Sequence, residues 1–249
     1  MLMNTAEAWL QAGHEAYDLG DFDEALVCYH RAVELAPQAE AAHYDLGNTL
    51  MQLGRPEQAL GYYQQALMLN PARVKTYNNI GLIYKQLQRW ELAESWFREA
   101  LKLDPSYFRA CNNLANLFCT LGQGERAERW YLRCLCLEPG HVPAQFNLAR
   151  YYQQSGRLNE ASRLFGQVVS LDPDHAPAWC ELGNLAEAAG GDTEALACWE
   201  RALQTNPEHV PTLVQLARYY RRLGDLPRAE ALYVRLQRWG SQSGEVHPN

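Results

Sequence analysis

Three groups of residues in this chain have types and spacings that chemistry uses. Gly122-Gln123-Gly124-Glu125-Arg126-Ala127 has the spacing of a dinucleotide phosphate loop, and His14-Glu15-Ala16-Tyr17-Asp18 begins like a zinc-protease helix. His141, His175 and His209 recur at equal steps of 34 residues, as metal ligands on successive elements would. Each group fails a physical test. The glycine motif falls between two helical segments, whereas a phosphate loop follows a strand. Asp18 stands where the protease motif needs its second histidine. One zinc ion needs every ligand nitrogen within about 2.0–2.1 Å, whereas equivalent sites on stacked helices lie on the order of 10 Å apart. The seven cysteines form no Cys-x-x-Cys pair and read as small buried residues of a reducing compartment. No catalytic residue, metal or cofactor is expected, so the chain reads as a non-enzyme. What remains is a row of carboxamides, Asn79, Asn113 and Asn147, again 34 residues apart. A carboxamide offers both donors and an acceptor, which suits it to the N–H and C=O groups of an extended peptide.

The elements that position this row repeat with it. Pro37, Pro71, Pro105, Pro139, Pro173 and Pro207 keep the 34-residue step, as do seven alanines from Ala25 to Ala229. An aromatic follows each alanine by four residues: Tyr29, Tyr63, Phe97, Tyr131, Phe165, Trp199 and Tyr233. A glycine column runs through Gly20, Gly54, Gly122, Gly156, Gly190 and Gly224, with Gln88 as its departure. Tyr77, Ile80, Gly81 and Tyr84 form one stripe of an amphipathic helix, and Ala93, Phe97, Ala100 and Leu101 form the stripe of a second. Gly81 or Ala115 in a first helix lets the two axes approach closely. The turn glycine supplies a left-handed cap, and the proline ends the second helix. Pro143, Pro177 and Pro211 suit a first helical turn, and Asn4-x-x-Glu7 and Asp21-x-x-Glu24 have capping-box spacing. The expected organisation is a lead over 1–5, seven repeats (6–39, 40–73, 74–107, 108–141, 142–175, 176–209 and 210–241), and a flexible polar tail over 242–249.

The pattern Trp179, Leu182, Gly183, Ala195, Trp199, Ala202 and Pro207 resembles the tetratricopeptide repeat, and repeat 3 shows the same columns. The resemblance covers nearly the whole chain and implies an all-α, right-handed α-solenoid superhelix of helix-turn-helix units. It also implies that first helices line a concave groove through repeat positions 2, 5, 6, 9, 12 and 13. On that basis Asn48, Lys75, Asn79, Arg109, Asn113, Asn116, Asn147, Arg150 and Asn184 are the candidate peptide-binding residues. The Asn79, Asn113 and Asn147 row resembles the asparagine ladder of the O-GlcNAc transferase superhelix, although Asp45 and Glu181 interrupt it. Hydrogen bonding of these amides within the stack is the competing reading. Asn48, Asn79 and Arg109 also match part of the carboxylate clamp of chaperone adaptors. Tyr44 and Asn113 stand where that clamp has cations, so it is not expected to capture a C-terminus.

Charge refines the groove. The net charge is −7, and residues 1–73 carry all of it, with ten acidic and three basic side chains. Lys75, Lys85, Arg109, Arg150, Arg218, Arg221 and Arg222 fall at inner positions of repeats 3–7. The middle of the groove is therefore expected to favour acidic peptide segments, unless alternating Arg and Glu pair with one another. An acidic chain with no basic stripe of stacking aromatics is not expected to bind nucleic acid or anionic membrane. The start has no cationic segment, and no stretch approaches a membrane span, so the expectation is cytoplasmic. The end leaves two readings: the arginine-rich last helix caps itself, or Leu226, Leu232 and Trp239 pack on another chain or domain. Two functions follow. The first is a scaffold binding an extended, acid-leaning segment of a partner protein. The alternative is the substrate-recognition arm of a larger enzyme such as an O-GlcNAc-type protein glycosyltransferase.

Overall fold

The computed structural model describes residues 5–243, all of whose regular structure is α-helical. It divides into two compact units, residues 1–137 and 138–249. The first holds four helical hairpins: α1 (Ala6–Asp18) with α2 (Phe22–Leu35), α3 (Glu40–Gln52) with α4 (Pro56–Leu69), α5 (Val74–Gln86) with α6 (Trp90–Leu103), and α7 (Phe108–Thr120) with α8 (Gly124–Leu137). The second holds three: α9 (Val142–Gln154) with α10 (Leu158–Leu171), α11 (Ala176–Ala188) with α12 (Asp192–Thr205), and α13 (Val210–Arg222) with α14 (Leu226–Ser243). Within each unit a second helix packs on the following first helix, and first helices also touch, as α5 does α7 and α11 does α13.

The columns of the sequence have direct physical roles. Each alanine of the column from Ala25 to Ala195 is buried, and the aromatic one turn later is buried beneath its hairpin partner, from Tyr29 to Trp199. A Cβ added at Gly81 would stand 2.6 Å from the Phe97 ring, and one at Gly183 would stand 2.5 Å from the Trp199 ring. The ring thus lies where a larger first-helix residue would be. The turn glycines all take positive φ, as expected of a left-handed cap, and Gln88 takes φ of 56° in the same place.

Helix ends are closed by a second set of bonds. Asp21 accepts the Glu24 N–H at 3.0 Å. At the chain start the cap is Thr5, which accepts the Ala8 N–H at 3.2 Å; Asn4 lies outside the described residues. Prolines 143, 177 and 211 occupy first helical turns. The fourth residue of a repeat also donates to the carbonyl of the proline six residues before it. His43 reaches Pro37 at 2.9 Å, Tyr77 reaches Pro71 at 3.0 Å, Gln145 reaches Pro139 at 2.8 Å and Trp179 reaches Pro173 at 2.9 Å. Cys111 and Leu213 hold that position in repeats 4 and 7. There Arg133 and Arg235 supply the donor instead, to Pro105 at 3.1 Å and Pro207 at 2.5 Å. Four unlike side chains, and an arginine from elsewhere, satisfy one recurring carbonyl.

At the C-terminal end Leu232 is buried in the core shared by the last two hairpins, with Trp199 and Leu213. It is therefore not part of an outward face. Leu226, Tyr233 and Val234 are exposed there, whereas the Trp239 side chain and residues 244–249, including most of the expected tail, lie outside the described residues.

Candidate functional site

In the first unit the first helices α1, α3, α5 and α7 bring together a polar seam, built mainly from the fifth, sixth and ninth residues of the repeats. His14 Nε2 donates to Asp45 Oδ2 at 3.0 Å. Asn79 Nδ2 faces three acceptors of the preceding repeat: Asn48 Oδ1 at 3.1 Å, the Tyr63 hydroxyl at 3.2 Å and the Tyr44 hydroxyl at 3.3 Å. Asn113 Nδ2 donates to Asn78 Oδ1 at 2.8 Å. The sixth-position amides of repeats 3 and 4 thus bind their neighbour in the stack, the competing reading raised above.

The ninth position has a different task. Tyr63 donates its hydroxyl to Asn48 at 2.8 Å, Tyr131 donates to Asn116 at 2.5 Å, and Trp199 Nε1 donates to Asn184 at 3.1 Å. In repeats 3 and 5 the buried ring is Phe97 or Phe165, which has nothing to donate, and the ninth residue is Leu82 or Arg150. Acceptor and donor rise and fall together within a hairpin. This match was present in the sequence fifteen residues apart and escaped the reading by columns.

The candidate cations stand apart from the seam. Lys75 and Arg109 occupy the second position of repeats 3 and 4, are exposed, and have no ion pair among the described residues. Lys85 is partly buried, which holds its ammonium below the usual lysine range. At the acidic end of the same face, the walls of a cavity of about 410 Å³ include His14, Tyr17, Asp18, Tyr29 and Asp45. A second cavity of about 330 Å³ lies among second-helix residues: Arg98, Arg126, Arg129, Trp130 and Arg133. There Glu94 accepts from Arg98 at 2.9 Å and from Arg126 at 3.0 Å, and Arg126 lies 3.8 Å over the Phe118 ring. These residues lie on α6 and α8, outside the first-helix positions to which the repeat pattern points.

In the second unit Arg150, Arg218 and Arg221 are exposed and have no ion pair among the described residues. Arg222 does pair, with Glu187 at 3.0 Å and Asp192 at 3.2 Å, so the alternation of Arg and Glu is partly intramolecular. Glu181 accepts from Gln153 at 2.9 Å and from Asn184 at 3.1 Å. Asn147 is partly buried and is not without an interaction of its own. The three repeating histidines also have structural work. Nδ1 of His141 accepts the Ala144 N–H at 3.2 Å, and Nδ1 of His175 accepts the Ala178 N–H at 3.1 Å, capping α9 and α11. His209 Nδ1 lies 2.7 Å from the Thr212 hydroxyl at the start of α13.

Tetratricopeptide repeat profiles match residues 10–74, 44–108 and 180–243, with related profiles of the same repeat over 110–143 and 133–182. The chain belongs to the tetratricopeptide repeat family. Its members are in general protein–protein interaction scaffolds, and the fold supports such a role. Comparison with curated proteins gives no match. Among solved structures, PilF of Pseudomonas aeruginosa is 19% identical, with a TM-score of 0.73 over 86% of this chain and 97% of that one. PilW, a type IV pilus biogenesis factor, is 24% identical, with a TM-score of 0.73 over 85% and 97%. YrrB, a tetratricopeptide repeat protein with an unusual peptide-binding site, is 24% identical, with a TM-score of 0.56 over 75% and 96%. These likenesses establish the shared repeat fold. No described helix is long and apolar enough to cross a membrane.

Proposed function

We propose that this tetratricopeptide repeat protein is a non-catalytic scaffold that holds an extended, acid-leaning segment of a partner protein along its first-helix face. The observation that carries this reading is the pair Lys75 and Arg109: equivalent positions on neighbouring helices, exposed, and without a carboxylate of their own among the described residues. Unpaired cations on a packed, rigid face attract anionic segments and steer their approach. Arg150, Arg218 and Arg221 offer the same chemistry in the second unit. YrrB is described as a tetratricopeptide repeat protein with an unusual peptide-binding site, which supports peptide binding on this fold. The seven free cysteines, four of them buried, suit a reducing compartment such as the cytoplasm.

The alternative, a substrate arm of an O-GlcNAc-type transferase, rests on the asparagine row. The amide hydrogens of Asn79 and Asn113 point at the preceding repeat, which favours the scaffold. An array of acidic, neutral and basic peptides, read at low and high salt, tests the proposal. Preference for acidic members that fades with salt, and is lost in Lys75→Ala/Arg109→Ala, is expected. Equal binding across the array, or indifference to salt and to both substitutions, refutes it.

A further inference from the structure

Repeat 1 breaks the pairing rule that holds in repeats 2–6. Its buried ring is Tyr29, which has a hydroxyl, but its ninth residue is His14 rather than asparagine. His14 lies against the Tyr29 ring, with centroids 5.7 Å apart, and directs Nε2 to Asp45. Tyr29 is 1% exposed, yet its hydroxyl has no hydrogen-bond partner among the described residues. In Tyr63 and Tyr131 the same group is bonded. With no protein partner, the hydroxyl can be satisfied only from the cavity that it faces. Tyr29 forms part of the wall of the 410 Å³ cavity together with Tyr17, Asp18 and Asp45.

We infer that this cavity receives a basic side chain, lysine or arginine, of the bound peptide. Two carboxylates face it: Asp45, whose side chain is 19% exposed and is held by His14, and Asp18, exposed and without an ion pair among the described residues. Burial, and after it the nearby charges of Asp45 and Asp18, push the Tyr29 hydroxyl up, so both carboxylates lie close enough to act on a group in the cavity. An ammonium or guanidinium there donates to the Tyr29 oxygen and the carboxylates, and meets the rings of Tyr17 and Tyr29. An anion is repelled by Asp18 and Asp45, and an apolar group leaves the hydroxyl unsatisfied. The inference deepens the scaffold reading and rests on it, because the cavity lies among α1, α2 and α3, and the next first helices of the same unit, α5 and α7, carry Lys75 and Arg109. The first-unit face then runs from acidic at repeats 1–2 to basic at repeats 3–4. Helix spacings of about 10 Å put two repeats at about 20 Å, roughly six extended residues between the peptide's basic residue and its acidic ones.

The test uses the full chain with ¹³C-labelled tyrosine and titrates Nα-acetyl-arginine amide and Nα-acetyl-lysine amide, with Nα-acetyl-glutamine amide as the control. Tyr29→Phe assigns the resonance. A saturable Tyr29 shift with the two cationic amides, absent with the glutamine amide, is expected. In Asp45→Asn it should need at least about fivefold more ligand. Asp18→Asn gives the same reading at an exposed residue whose replacement leaves the fold intact. An equal response to the glutamine amide, no Tyr29 response, or a response unchanged in both aspartate variants overturns the inference. The amides probe the cavity without the rest of the groove. Cationic amides that bind while the acidic peptide array does not would sink the groove reading alone. Array binding without a Tyr29 response would sink the cavity alone.

Discussion

Asn48 and Tyr63 are joined across the second hairpin by a hydroxyl-to-carboxamide bond of 2.8 Å, and Asn79 of the next repeat donates to both oxygens. Three residues from two repeats therefore form one polar knot in a core otherwise held by apolar contact. A knot of this kind predicts coupling. Asn48→Leu and Tyr63→Phe should each lower stability by about 1 kcal/mol, because each leaves a partner's polar atom unsatisfied. The double variant should cost less than the sum by at least about 0.5 kcal/mol, since Leu82 and Phe97 show that an apolar pair fits this place. Denaturant melts of the four proteins measure the coupling; strict additivity would refute it.

The same geometry separates residues that hold the stack from those free to bind. Asn79→Ala removes a donor with three acceptors and should cost about 1–3 kcal/mol of stability. Lys75→Ala and Arg109→Ala, at exposed and unpaired positions, should change stability by less than about 0.5 kcal/mol. The two cation variants should nonetheless weaken binding of acidic peptides. Paired melts and peptide titrations on all three variants check this division of labour.

Gln88 sits at φ of 56° in a turn where six other repeats place glycine. A side chain in the left-handed region costs roughly 1–2 kcal/mol. Glycine gives back part of that through greater freedom when unfolded. Gln88→Gly should therefore stabilise the third hairpin by about 0.5–1 kcal/mol. Hydrogen exchange of α5 and α6 amides reads the effect locally, which suits an array whose repeats need not unfold together. Faster exchange in the variant would contradict the prediction.

Burial pushes the Cys180 thiol up to about 11, against a model-peptide value near 9; hydrogen bonds from Thr212 and Asn184 oppose the shift without cancelling it. The folded state therefore keeps a proton that the unfolded state releases first. The contribution is complete below about pH 9 and is lost as pH rises from about 9 to 11, on the order of 2 kcal/mol at the alkaline end. Cys180→Ala should flatten that fall when melts are compared at pH 8 and pH 10.5. Thiol labelling at pH 8 gives an independent check: the exposed Cys119 and Cys136 should react well before Cys180 and the buried Cys111.

The repeat columns made most of the fold legible. Proline, alanine, aromatic and turn glycine each act through the backbone or through volume, and such demands recur identically in every repeat. Polar partnerships were harder to read, because their members lie on different columns and change together. His43, Tyr77, Gln145 and Trp179 look unrelated as a column, yet all four donate to a proline carbonyl. Asn79 looks like a peptide ligand because its place on the first helix is readable in the sequence, whereas its acceptors on the preceding repeat are not. The unpartnered hydroxyl of Tyr29 becomes visible only once Tyr63 and Tyr131 define what a partnered one is.

The matching of ninth residue to ring has a bearing on assembly as well as on stability. From repeat 2 to repeat 6 the ring partner alternates, asparagine with Tyr63, Tyr131 and Trp199, but leucine or arginine with Phe97 and Phe165. A hairpin closed one repeat out of step, within a chain or swapped between two chains, sets Asn48 against Phe97 or Leu82 against Tyr131. Either error strands a polar atom in the core. A two-repeat error restores the match. The alternation thus acts as a proofreading code for self-similar sequence, doubling the effective spacing at which neighbouring helices can be mistaken for one another.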